Sequence, residues 1–190
     1  MNDPSQEIRL TGTSFAVLGL VELLGEATPY ELKAALEASV ANFWPLPHTT
    51  FYVEPARLAK AGYLTEDQEE GGRRRKRYRI TVSGKRALAE WLESPEFRPP
   101  QQRDEQMLRI FLGADPVPLL EARLEWHRAK LAELDGYLTA VRTTGKAEGF
   151  GSEGAERALV GGTFFHRTLA EGIETLLRDG PEAFESDEHP

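Results

Sequence analysis

Between Phe15 and Leu24 the apolar residues Phe15, Val17, Leu18, Leu20, Val21, Leu23 and Leu24 fall on nearly every side of a helix, with Thr13 or Ser14 as its cap. A helix coated this evenly is expected at the centre of a core. Gly25 ends it, and Thr28-Pro29-Tyr30-Glu31 then combines a capping box with proline at the first helical position, where its missing N–H is harmless. The second helix therefore starts at Pro29. Leu32, Ala35, Leu36, Val40 and Phe43 keep one buried face until Pro45 and Pro47 stop it. Thr49 or Thr50 caps a third helix with Phe51 and Leu58 inward, Gly62 at its exit and Pro55 as an irregularity inside it. Tyr63-Leu64-Thr65 reads as a strand, Glu69 to Gly72 as a turn, and Tyr78, Ile80 and Val82 as the alternating face of a return strand. A fourth helix runs from about Ser83 through Leu88 and Trp91 to Ser94.

Beyond Pro95 the pattern changes. Residues 96–102 contain Pro99-Pro100 and little apolar content, which marks a linker between a first domain over 1–95 and a second over 103–180. Met107, Leu108, Phe111 and Leu112 form a short amphipathic segment. After it Leu120, Leu124, His127, Leu131, Leu134, Leu138 and Val141 alternate spacings of four and three, a heptad seam. Leu159, Gly162, His166, Leu169, Ile173 and Leu176 repeat the alternation on a second long helix. Narrow apolar stripes need partners, and a second copy of the chain is the simplest supplier. Leu120, Leu124, Leu131, Leu134, Leu138, Leu159, Leu169, Ile173 and Leu176 are accordingly the expected dimer interface. Residues 181–190 are expected to be a frayed acidic tail.

Charge sharpens this outline. The 190 residues carry 23 Lys+Arg against 31 Asp+Glu, a net −8, which by itself argues against nucleic acid. The acid is concentrated in the second half, however. Arg73, Arg74, Arg75, Lys76, Arg77 and Arg79 set six cations in seven positions at the predicted hairpin, a local field that an average does not cancel. Cys is 0, which excludes disulfides and thiol chemistry and fits a reducing compartment. The apolar run near the N-terminus contains Glu22 and falls short of the roughly 20 residues of a membrane span, so a cytoplasmic protein without a membrane role is expected.

Three helices, a hairpin with a cationic strand and a further helix are the order of a winged helix-turn-helix. In that fold one helix offers side chains to major-groove base edges while the wing lays cations beside phosphates. Phe51-Tyr52, then Arg57-Leu58-Ala59-Lys60-Ala61-Gly62-Tyr63-Leu64, then Tyr78-Arg79-Ile80-Thr81-Val82-Ser83-Gly84 resemble the PadR family of bacterial transcriptional regulators. Pro29-Tyr30-Glu31-Leu32 looks like that family's Gly-Tyr-Glu-Ile segment, with proline in place of glycine. Val53-Glu54-Pro55-Ala56 departs from the family's proline followed by a buried leucine. The resemblance covers about residues 12–94. It extends more weakly from Arg103 onward, where the chain looks like the helical dimerisation domain of larger PadR-like proteins.

The resemblance implies a mostly α protein, a winged helix-turn-helix plus a helical dimerisation domain, acting as a homodimeric repressor on a palindromic operator in double-stranded DNA. A small hydrophobic or aromatic effector would relieve it. It places Thr49, Thr50 and Tyr52 at the DNA-facing start of the recognition helix, beside basic Arg57 and Lys60; the bland alternative is that the threonines cap and Tyr52 packs. Alternation sends Arg77 and Arg79 to one face of the wing, opposite Tyr78 and Ile80. Trp91, Trp126, His127, Phe165 and His166 are candidates for an effector pocket, with register fixing by the two seam histidines as the plainer reading. The rival from another class is a protein–protein adaptor on a winged-helix scaffold.

Enzymatic readings find little purchase. Gly149-Phe150-Gly151-Ser152-Glu153-Gly154 matches a dinucleotide-binding string but follows a helix and not a strand. His48, His127, His166 and His189 lack the carboxylate pattern of a catalytic metal site. No nucleophile elbow or acid/base pair of carboxylates stands out, so neither catalysis nor a cofactor is expected.

Overall fold

The computed structural model describes residues 8–41, 43–68, 75–97, 99–100, 103–144 and 152–180. Arg73 and Arg74 of the basic run, residues 145–151 and the acidic residues 181–190 lie outside them. The chain divides into two compact units, the division falling after Phe97.

The first unit is built on α1 (Gly12–Leu24), whose Val17, Leu18 and Val21 are fully buried. Its cap is Thr11, not Thr13 or Ser14. The Thr11 hydroxyl accepts from the Ser14 N–H while the Ser14 hydroxyl accepts from the Thr11 N–H, a capping box that moves the start two residues earlier. Pro29 opens α2 (Pro29–Glu37) as the capping box predicts, with Thr28 and Glu31 exchanging hydrogen bonds. That helix stops at Glu37, well short of Phe43. Turn hydrogen bonds carry the chain through Ala41, the Ser39 hydroxyl donates back to the Ala35 carbonyl, and Phe43 is exposed.

Next comes α3 (Thr50–Lys60), which continues through Pro55, a residue on its inward face with Phe51 and Leu58. Gly62, at φ 82°, turns the chain into β1 (Leu64–Gln68), which pairs antiparallel with β2 (Lys76–Ile80) in the register Leu64↔Ile80, Glu66↔Tyr78. Val82 was expected in the return strand. It is instead the first residue of α4 (Val82–Glu93), since Thr81 leaves the sheet to cap that helix with a hydroxyl bonded to the Gly84 N–H. A backbone bridge between Ala27 and Tyr78 ties the α1–α2 corner to the hairpin. One core joins these elements, with Tyr78 and Phe51 its largest members.

The second unit holds α5 (Glu105–Phe111), α6 (Pro116–Thr144) and α7 (Ser152–Asp179). The two long helices run antiparallel: Arg142 bonds Glu156, the Leu134 side chain packs against Gly162, and Arg128 bonds Glu174. Their apolar stripes therefore face each other within one chain. Leu124, Leu134, Val141 and Ile173 are buried there, with Leu120 and Leu131 packed alongside. Of the residues expected at a dimer interface, Leu124, Leu134 and Ile173 are thus buried within the single chain, whereas Leu120, Leu169 and Leu176 line an open groove. A stripe of this width is satisfied by the adjacent helix of the hairpin as well as by another copy, and the short connection between α6 and α7 makes the internal partner the nearer one.

Candidate nucleic-acid interface

One side of α3 is turned inward through Phe51, Glu54, Pro55 and Leu58. Opposite, Thr49, Tyr52, Val53, Ala56 and Lys60 recur at helical spacing within an arc of about 100°. Tyr52 and Val53 are 51% and 64% exposed, Thr49 and Lys60 are exposed, and Ala56 is half-buried. Thr49 occupies the cap position yet its side chain makes no capping hydrogen bond, so its hydroxyl is available to a partner. The His48 ring lies 5.4 Å from that of Tyr52.

No carboxylate stands on this outward stripe. The acid of the helix, Glu54, is held inside by Arg57, whose Nε and Nη2 donate to its two oxygens at 2.9 and 2.6 Å. Nη2 also donates to the buried Ser14 hydroxyl at 3.0 Å, and Nη1 to the Arg9 carbonyl at 3.4 Å. Arg57 is therefore a clamp between α3 and the start of α1. Its hydrogen bonds hold the Glu54 carboxyl below the usual carboxylate range against the opposing effect of burial. Glu54 was not foreseen, although its position three residues before Arg57 is the spacing of a helical ion pair.

The stem of the wing is also neutralised internally. Arg77 and Arg79 do share one face, and that face meets Glu26 of the α1–α2 corner: Arg77 Nη1 lies 3.1 Å from one carboxylate oxygen, and Arg79 Nε and Nη2 at 2.8 and 2.6 Å from the other. Arg79 Nη1 bonds Asp67 at 2.7 Å, and Lys76 pairs with Glu66 at 2.7 Å. Glu66 in turn accepts from the Tyr78 hydroxyl; burial, reinforced by that bond, pushes the phenol upward. Lys76, Arg77 and Arg79, expected beside phosphates, are each paired with a carboxylate in the chain by itself. Arg75, by contrast, is exposed and holds no ion pair among the described residues.

Residues 17–90 match the transcriptional regulator PadR-like family. Over that span the chain is PadR-like. Over 145 residues it is 27% identical to the negative transcriptional regulator PadR of Bacillus subtilis, covering 73% of this chain and 79% of the relative. The crystal structure of B. subtilis PadR in complex with operator DNA superposes at a TM-score of 0.76 with 23% identity, covering 90% of this chain and 98% of the other. The structure of the same protein with p-coumaric acid superposes at 0.70 with 23% identity, covering 86% and 95%. PadR-like proteins are transcriptional regulators and not enzymes, and the mostly helical winged fold is theirs. No helix among the described residues is long and apolar enough to cross a membrane.

In the second unit of this PadR-like chain, four of the five residues suggested for an effector pocket come together. Their Nδ1 atoms 2.8 Å apart, His127 and His166 face each other across α6 and α7; Trp126 packs edge-on against both rings and Phe165 against His166. His127 is 2% exposed. Burial lowers the pKa of both histidines, assisted at His127 by His166 and at His166 by Lys130, so both rings favour the neutral form and one donates to the other. That is a polar contact inside the seam, and the buried Nε2 of His127 finds no hydrogen-bond partner among the described residues. Trp91 is not among them: it stacks on Phe15 in the first unit with centroids 4.7 Å apart. The open groove of the second unit, about 420 Å³, lies elsewhere, lined by Met107, Leu120, Leu169, Ile173 and Leu176 with the Asp104–Arg123 ion pair.

Proposed function

We propose that this PadR-like protein is a cytoplasmic repressor that binds a palindromic operator in duplex DNA as a homodimer and leaves it when a small aromatic effector binds. The observation that carries this reading is the carboxylate-free outward stripe of α3 in a chain of net charge −8, with the one acid of that helix turned inward and neutralised. A helix presenting hydroxyls, a tyrosine, small apolar groups and a lysine suits a major groove lined by donors, acceptors and thymine methyls. Arg75, at the turn end of the hairpin just before the Gln68–Lys76 pair, adds a cation beside the adjoining phosphates.

Two features support the remaining parts. No residue of α5 is buried, and Met107, Leu108, Phe111 and Leu112 are all more than half exposed, apolar surface that a second copy covers. The operator complex and the p-coumaric acid complex of the B. subtilis relative make DNA and an aromatic acid the first ligands to test. A gel shift on the duplex upstream of the gene, repeated with a series of small aromatic acids, tests the whole proposal. The expected result is a retarded band of two chains per duplex that weakens as salt rises and disappears with one of the acids. Failure to retard any genomic fragment in dilute buffer overturns it.

A further inference from the structure

We propose that Val53 is a specificity-determining residue that reads thymine through its C5-methyl group. This deepens the DNA-binding proposal and rests on it. Val53 is the most exposed large apolar side chain of α3, at 64%, on a helix whose Phe51 and Leu58 are buried and whose Tyr52 ends in a hydroxyl. A β-branched residue is a poor choice for an exposed helical position, because it loses side-chain freedom there without gaining burial. Its placement is explained if burial comes from a partner.

The neighbours of Val53 narrow that partner. Thr49 precedes it by one turn and Ala56 follows it by three residues, both with short side chains, and Arg57, four residues on, is drawn inward to Glu54 and Ser14, so the backbone of the helix can approach a surface closely. Tyr52 and Lys60, which reach further, bring a hydroxyl and an ammonium to the same stripe. Such a face fits a groove in which polar edges and phosphates surround an isolated apolar knob. In the major groove the thymine methyl is the apolar group on offer, and no other base edge presents one. Glu54, one residue on, does not interfere: Arg57 holds it on the inward side.

The test removes the methyl and the isopropyl group in turn. A duplex is selected from randomised sequence by the wild-type chain, and each thymine is then replaced singly by uracil, which keeps the Watson–Crick edge and lacks only the methyl. At one thymine or more in each half-site, the wild-type chain is expected to bind the uracil duplex about four-fold more weakly, the equivalent of one buried methyl group. Val53→Ala is expected to bind the thymine and uracil duplexes equally at that position while keeping its sensitivity to every other thymine. Val53→Thr, which retains a methyl, is expected to restore a preference for thymine. Because Val53 is exposed, these variants keep the fold, and their circular dichroism provides the control. If Val53→Ala shows the same thymine-to-uracil ratios as wild type at every position, the inference falls while DNA binding stands. If the wild-type chain selects no sequence, the DNA-binding proposal falls with it.

Discussion

Replacing Arg57 by alanine separates a structural cation from a DNA-binding one. Arg57 donates four hydrogen bonds to protein groups, two of them to Glu54, whose side chain is only 12% exposed. The substitution leaves that carboxylate shielded and unpaired. Breaking a fully buried ion pair costs about 3–5 kcal/mol, whereas an exposed pair contributes about 0–1. With the Arg57 side chain 34% exposed, we place the cost between those limits, at about 2 kcal/mol. For a unit of this size that corresponds to a fall in Tm of roughly 8–16 °C. Glu54→Ala costs less, about 1 kcal/mol, because the stranded guanidinium keeps Ser14 and the Arg9 carbonyl and reaches water.

Proton linkage supplies a second signature of the same pair. In wild type the folded Glu54 pKa lies below its ordinary 4.5, so its contribution is complete above that value and is lost as pH falls through the depressed one. In Arg57→Ala burial without a partner raises the Glu54 pKa, and protonation relieves the strain. The stability gap between wild type and variant is therefore full at pH 7 and narrows on acidification, beginning above pH 4.5. Thermal unfolding followed by circular dichroism at pH 7 and pH 4 measures it. Salt titrations of DNA affinity complete the assay: the slope is expected to match wild type, since Arg57 points inward. A slope reduced by about 0.9 with an unchanged Tm would refute the inward clamp and return Arg57 to the DNA.

Other predictions follow from the same geometry. Arg75→Ala lowers the slope of log affinity against log salt by about 0.9, whereas Arg77→Ala with Arg79→Ala leaves the slope unaltered and reduces Tm, because those two bind Glu26 and Asp67; fluorescence anisotropy over a salt series reads both. Gly84→Ala sets a Cβ 2.2 Å from the Tyr63 carbonyl oxygen and 2.7 Å from Ile80, and a backbone atom does not yield easily. A loss on the order of 3 kcal/mol in urea unfolding with an unchanged m-value is expected. The histidine pair is buried neutral, so its contribution is intact above the ordinary pKa of 6.5 and falls as pH drops below it toward the lowered folded values. Exchanging His127 and His166 for leucine is expected to flatten thermal stability between pH 7 and pH 5, as calorimetry would register.

The second unit illustrates how a surface pattern acquires different occupants. Part of the seam of α6 and α7 is filled internally, while Leu120, Leu169, Ile173 and Leu176 line the groove that stays open. Besides α5, Trp126, Tyr137, Phe164 and Phe165 are each at least half exposed. Within the seam the histidine pair forms one neutral donor–acceptor contact, the kind of polar contact that favours a single register.

Sequence alone determined the features that depend on near neighbours. The Thr28–Glu31 capping box started α2, Phe51 and Leu58 set the inward face of α3, Gly62 marked its exit, and the spacing of Leu120 to Val141 disclosed a seam. Each is a matter of three or four residues, the range over which backbone hydrogen bonds and helical periodicity act. Tertiary structure alone decided which charges remain available to a partner and which stripe meets which. Glu26 reaches Arg77 and Arg79 across 51 and 53 residues, and Arg57 reaches Ser14 across 43. A run of cations looks the same in the sequence whether its counterions are phosphates or the protein's own carboxylates, because Coulomb attraction depends on distance in space and not along the chain.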